Sequence, residues 1–230
     1  MSDDLQLIPA ATVLLLRDAD TASGLEVLMV HRNSKIAFGG MWVFPGGRID
    51  DDELDGADLL ASARRAAVRE AAEETTLDLT VSDLHYWSYW EPPMASSMPT
   101  TKGPRRRFAT WFFATEAPAG EVVIDDGEIK DHAWLDPTAA LAKRDAGEIE
   151  LAPPTWVTLH QAAQYGSTAA ALTRASEADH GRFVTRPYGG DPITLGWAGD
   201  AGYESGDARA EGARHRLVMD PAGWTYERTV

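Results

Sequence analysis

From position 58 to 75 the chain has neither Gly nor Pro and is rich in Ala, Leu, Arg and Glu. That predicts a helix with Asp58 as its N-cap. Near its end stand Arg69, Glu70, Glu73 and Glu74. Positions 70 and 74 lie one turn apart on one face, with 73 beside them. An acidic helix face is ordinarily relieved by Lys or Arg one turn on. Here no Lys or Arg follows Arg69 until Lys102. The bland reading is a solvated acidic face. The sharper one is that three crowded carboxylates tolerate each other because a hard divalent cation, Mg²⁺ or Mn²⁺, sits among them and keeps positions for water and phosphate.

The surroundings predict an α+β chain with a mixed sheet between helices. The runs 8–17 and 25–32 are β-prone and flank a polar turn with Gly24, which reads as a hairpin. A short strand at 41–44 is broken by Pro45-Gly46-Gly47, and 48–57 is an acidic loop. Further strands are predicted at 84–90, 108–115, 121–124 and 128–135, and helices at 137–144 and 154–164. The domain is drawn at 1–175. The segment 176–230 is an extension rich in glycine and charge, with a hairpin at 214–219 and 224–229 around Asp220-Pro221-Ala222-Gly223. It is expected to pack on the core or on a partner copy, which is compatible with a homodimer.

Charge narrows the function. There are 36 acidic and 21 basic residues, for a formal charge of −15. Such a field opposes nucleic acid and anionic membrane alike, and it admits a phosphorylated substrate only where a local cation reverses it. The absence of cysteine excludes a disulfide scaffold, a thiolate zinc site and a cysteine nucleophile. The acidic N-terminus and the shortness of the apolar run 10–16 argue against a leader or a membrane span, so a cytoplasmic protein is expected. There is no Gly-x-Ser-x-Gly elbow, and the six histidines show no metal-ligand spacing.

Phe44-Pro45-Gly46-Gly47 followed by Arg69-Glu70-Ala71-Ala72-Glu73-Glu74 and Leu77 resembles the Nudix box. That pattern runs Gly, five residues, Glu, seven residues, Arg-Glu, an aliphatic residue, any residue, Glu-Glu, any residue, Gly, aliphatic. The stretch from Gly47 to Arg69 is eight residues longer than the pattern. The middle glutamate falls on Ala61 when aligned back from Arg69 and on Glu53 when aligned forward from Gly47. The last glycine is Thr76. The resemblance covers roughly residues 6–165 and implies a Nudix fold of α/β/α type.

It also implies an activity: metal-dependent hydrolysis of the diphosphate in a nucleoside diphosphate linked to another moiety, with Mg²⁺ or Mn²⁺ as cofactor. Glu70, Glu74 and the Gly46 carbonyl would be metal ligands. Glu73 would be a further ligand or the partner that Arg69 orients. A base from outside the box is expected at Glu128, with Glu91 behind it. Gly47, Trp42 and the basic run Arg105, Arg106 and Arg107 are the substrate-binding candidates, since guanidinium forks suit phosphate and an indole stacks a base. The bland alternatives are a solvated basic turn and a core tryptophan.

The lead-in from Gly40 and the downstream Leu151-Ala152-Pro153-Pro154-Thr155 look similar to the acyl-coenzyme-A diphosphatase branch, although Ile36 stands where that signature has arginine. Coenzyme A or its thioesters are therefore one expected substrate. ADP-ribose or NADH-type substrates, or a non-catalytic ligand-binding regulator, are the alternatives.

Overall fold

The computed structural model describes residues 7–19, 24–33, 39–54, 56, 58–94, 107–124, 127–177 and 181–229. Two compact units share the chain: a larger one of residues 9–88 and 110–181, and a smaller one of 1–8, 89–109 and 182–230.

The larger unit is built on β1 (Leu7–Asp18), β2 (Leu25–Arg32), β3 (Trp42–Val43), β4 (Gly46–Arg48), β5 (His85–Glu91), β6 (Arg107–Glu116) and β7 (Ile129–Leu135). The strand order is β3-β2-β1-β6-β5, with β4 on β1 and β7 on β2. β1 and β2 pair antiparallel as the predicted hairpin. Residues 10–16 of β1 are buried without a break, so this strand is covered on both faces.

One face is covered by α1 (Leu59–Thr75), with Asp58 accepting from Ala61 N as its N-cap. Ala63, Ala66, Ala67 and Ala71, at helical spacing, pack with Val13, Leu15, Leu28, Ile49 and Phe113. Small side chains let this helix lie close to the strands. β5 alternates. Tyr86 packs on that same cluster, while its neighbour Trp87 turns to α3 (Pro153–Ala162), donating to Gln161 Oε1 at 3.1 Å. Before α3 comes α2 (Pro137–Asp145), and after it α4 (Thr168–Glu177). The result is the predicted helix–sheet–helix layering.

Several expectations are corrected. Pro45-Gly46-Gly47 ends β3 but does not end pairing, because Gly46–Arg48 returns as β4 with Thr12 opposite Gly46 and Ala11 opposite Gly47. The predicted strand at 121–124 is irregular chain. Val123 N donates to the Thr75 carbonyl at 3.1 Å, closing the end of α1 rather than joining a ladder. Helix α4 is an addition to the predicted elements.

The helix ends in a conformation it does not favour. Thr76, where the Nudix box has glycine, is the C-cap and sits at φ 59°, the left-handed region. A β-branched residue is strained there. Thr76→Gly is expected to stabilise the fold by about 1 kcal/mol in urea unfolding, with activity retained.

The smaller unit includes residues 7–8 of β1, 107–109 of β6 and 89–91 of β5, on which β8 (Arg182–Val184) lies parallel, with Trp90 opposite Phe183. β9 (Arg186–Tyr188), β10 (Ile193–Gly196), β11 (His215–Asp220) and β12 (Gly223–Arg228) form an antiparallel sheet ordered β12-β11-β10-β9. β11 and β12 are the predicted hairpin; β8, β9 and β10 are additions. The unit is held by aromatic rings. Trp90 stacks on Phe183 at 3.9 Å, and fully buried Trp197 meets both edge-on at 5.4 Å.

Candidate active site

The site forms where β4 passes the end of α1. Gly46 has φ 153°, and a Cβ there would strike the Ala11 carbonyl and come within 2.6 Å of Thr12 Cα. The chain can take this path against β1 only as glycine. Thr12 Oγ1 donates to the Pro45 carbonyl at 2.7 Å and holds the turn in place. Gly47 is required for a different reason. A Cβ on it would fall on the Glu70 carboxylate.

Two arginines organise the acids. Arg69 reaches Glu53 with a two-pronged fork, Nε to Oε1 at 2.9 Å and Nη2 to Oε2 at 3.0 Å. It also donates to Glu70 Oε1 at 2.9 Å, to Glu73 Oε2 at 3.0 Å and to the Arg48 carbonyl at 3.0 Å. Glu53, the glutamate reached by aligning forward from Gly47, is thus the one that meets Arg69. All of the extra residues lie between it and Arg69, where the described part of the loop is solvent-exposed. A surface insertion of that kind leaves the site's geometry intact at little entropic cost. The Arg69 fork holds the Glu53 carboxyl below its ordinary value, against the opposing effect of burial.

Glu74 is the buried member of the trio, 3% exposed. Gly46 N donates to its Oε2 at 2.9 Å. Its Oε1 makes no hydrogen bond, although Arg32 Nη2 lies 3.2 Å away. Burial raises its pKa to about 7, against the lowering effects of Arg32 and the Gly46 N–H; Glu70 and Glu128 push it further up. Burial also raises Glu70, opposed by Arg69. Glu73 is the exposed one.

Arg32, at the end of β2, is a residue near the coenzyme A signature, out of register with it, to which sequence reasoning gave no role. Its Nη1 donates to the Gly46 carbonyl at 3.2 Å, and its Nη2 donates to Glu128 Oε2 at 3.1 Å. Glu128, distant in sequence, is thereby brought to the same place as Glu74. The one available signal was a cation closing a buried strand in an acidic chain.

The remaining candidates fall elsewhere. Trp42 is half-buried with its ring stacked on His31 at 5.3 Å. Arg105 and Arg106, with Lys102, lie outside the described residues. Arg107 belongs to the smaller unit. It is 5% exposed, and its guanidinium donates to the carbonyls of Pro92 and Pro93 at 3.0 Å. That role ties the start of β6 to Pro92 and Pro93. Glu91, also in the smaller unit, accepts from Arg182 at 3.4 Å.

Among the described residues no three His, Asp or Glu side chains stand close enough to hold a metal ion as they lie. Arg32 and Arg69 occupy the spaces between the carboxylates. The donor set nonetheless fits a hard dication: a buried carboxylate oxygen without a hydrogen bond, a second carboxylate in a cradle that a Cβ would fill, and a backbone carbonyl beside them.

The fold is an α/β/α sandwich whose glycine turn and acidic helix end meet at one point, as the resemblance to the Nudix hydrolases implies. A family model described as NUDIX domain matches residues 6–154, and the chain belongs to that family. Nudix hydrolases generally use divalent metal ions and typically act on nucleoside diphosphate derivatives.

Among solved structures, a NUDIX hydrolase from Alicyclobacillus acidocaldarius superposes with a TM-score of 0.61 at 21% identity, covering 76% of this chain and 98% of that one. The NUDIX domain of Shewanella oneidensis NrtR, complexed with ADP ribose, gives 0.49 at 20%, covering 69% and 88%. MutT protein from Methanosarcina mazei Go1 gives 0.49 at 17%, covering 71% and 96%. No curated protein matches the chain. No helix among the described residues is long and apolar enough to cross a membrane.

Proposed function

We propose that this chain is a metal-dependent pyrophosphohydrolase that cleaves the diphosphate of a nucleoside diphosphate linked to a second moiety. The observation that carries the reading is Glu74, a buried carboxylate with one oxygen taken by the Gly46 N–H and the other without a hydrogen bond. A carboxylate buried in this way is costly by itself and suits a cation. Glu70, Glu74, Glu73 and the Gly46 carbonyl would hold Mg²⁺ or Mn²⁺. When bound, the ion would neutralise diphosphate oxygens and lower the pKa of a bound water.

The chain's own residues supply the rest. Arg69, gripped by Glu53, fixes the rotamers of Glu70 and Glu73. Gly47 leaves room for the Glu70 carboxylate. Glu128 takes the proton of the attacking water as its oxygen bonds to phosphorus and the bridging phosphorus–oxygen bond breaks, the departing phosphate keeping the electron pair. Trp42 is offered as a surface for the base. In the basic run, the phosphate-binding assignment now rests on Arg105 and Arg106, since Arg107 is engaged with backbone carbonyls.

Coenzyme A or acyl-coenzyme A is the substrate favoured here, supported by the Gly40 to Gly47 lead-in and by Leu151-Ala152-Pro153-Pro154-Thr155. ADP-ribose and NADH-type dinucleotides are the competing substrates. The test is a panel of coenzyme A, acyl-coenzyme A, ADP-ribose, NADH and dinucleoside polyphosphates with Mg²⁺ and with Mn²⁺, each product identified by mass. Release of a phosphopantetheine fragment and an adenosine bisphosphate is the expected result. Release of AMP from ADP-ribose or NADH alone moves the substrate to the other class. Binding without turnover across the panel makes the chain a ligand-binding regulator.

A further inference from the structure

Arg32 has no part in the chemistry above, yet it sits at its centre. It closes β2 where the pairing with β7 shifts register between His31 and Arg32, and such an irregularity re-aims a side chain. Its backbone is fixed from both directions: Arg32 N donates to Met41 O at 3.1 Å, and Gly40 N donates to Arg32 O at 3.0 Å. The side chain, 13% exposed, ends among three oxygens from three separate segments. These are the Gly46 carbonyl at 3.2 Å, Glu74 Oε1 at 3.2 Å and Glu128 Oε2 at 3.1 Å. Without a cation, a carbonyl dipole and two carboxylates would face one another there.

The guanidinium serves them imperfectly. Its Nε is buried with no hydrogen-bond partner, and Glu74 Oε1 gains the charge but no hydrogen bond. A planar fork offers donors in fixed directions. A spherical dication places no such demand on each oxygen and brings twice the charge.

We propose that Arg32 is a built-in stand-in for the divalent cation. Its guanidinium holds the Gly46 carbonyl, Glu74 and Glu128 together while no ion is present and must leave them when one binds. Ion and side chain therefore compete for the Gly46 carbonyl and Glu74. This inference rests on the metal-binding reading of the proposed function, and its test separates the two.

Mn²⁺ alone is titrated into metal-free protein, with free Mn²⁺ read by electron paramagnetic resonance, for wild type, Arg32→Met, Arg32→Lys and Glu74→Gln. Arg32→Met removes the fork and keeps an apolar stem; it is expected to bind Mn²⁺ at least tenfold more tightly and to melt at lower temperature without the ion. A residue with a merely structural role would weaken binding when removed. Arg32→Lys keeps the charge but cannot span three acceptors, so it too is expected to gain, by threefold or more. If Lys matches wild type, the gain in Met is repulsion at a distance and the competition is overturned. Equal or weaker binding by Arg32→Met also overturns it, while wild-type binding abolished in Glu74→Gln leaves the metal site standing. Should Arg32→Met not fold, Arg32→Lys decides alone. If neither wild type nor any Arg32 variant binds Mn²⁺, the metal reading itself fails.

Discussion

Glu74→Gln is expected to lose several orders of magnitude in turnover while making the metal-free protein more stable above pH 7. The two effects share one cause. Glu74 is 3% exposed, and burial lifts its pKa from an ordinary 4.5 to about 7. The folded state therefore holds a proton that the unfolded chain has released across that window. Stability from this group is complete below the unfolded value and is lost as pH rises through the folded one. At pH 8 the ionised carboxylate costs about 3 kcal/mol in the absence of a cation.

Gln retains a carbonyl for the Gly46 N–H and cannot ionise, so it escapes that cost. It also cannot supply the charge that a dication needs. Paired melts of wild type and variant at pH 5 and pH 8, with and without Mn²⁺, check this. The gap in the variant's favour should widen at pH 8 and close when Mn²⁺ is added to wild type. A variant with near wild-type turnover would remove Glu74 from the chemistry.

Asp200→Ala is expected to destabilise the smaller unit by about 3–5 kcal/mol, the cost of leaving a buried charge without its partner. Asp200 is wholly buried as a side chain, and Arg216 is 6% exposed. Arg216 donates to Oδ2 through Nε at 2.7 Å and to Oδ1 through Nη2 at 2.6 Å. Three more donors complete the cage: His215 N at 2.9 Å, Gly202 N at 2.8 Å and the Tyr188 hydroxyl at 3.1 Å. Burial acts to raise the carboxyl's pKa, but these donors together hold it far below the ordinary range. Its stabilising contribution is in place above the unfolded value and disappears only as acid carries the pH down through the folded one.

The double change Asp200→Asn with Arg216→Met, which removes both charges, should cost less than Asp200→Ala alone. Hydrogen exchange of amides in β10, β11 and β12 measures the loss locally. Unchanged protection there would mean that the ion pair does not hold the sheet.

Helix α1 was legible because its signal is local. Helical spacing put Glu70 and Glu74 on one face, and the unrelieved charge pointed to a cation. Gly46 and Gly47 were legible as a pair, although only the fold separates their reasons, a close strand for one and a carboxylate for the other. Glu53 was ambiguous because an insertion shifts any alignment that starts from Arg69; the two-pronged contact settles its partner. Arg32 was illegible in role, since its three acceptors meet only after β2, β4, α1 and the turn before β7 are assembled. Arg107 looked like part of a basic patch, but a guanidinium satisfied by two carbonyls leaves the same trace in sequence as one awaiting phosphate. The short strands β8, β9 and β10 carry too few residues for a period to be read.

The measurement closest to the central claim is anomalous scattering from crystals soaked in Mn²⁺. The expected result is a peak bounded by Glu70, Glu74 and the Gly46 carbonyl, with the Arg32 guanidinium withdrawn from Glu74 and that carbonyl. A fully active protein whose crystals show Mn²⁺ only at other residues would contradict it.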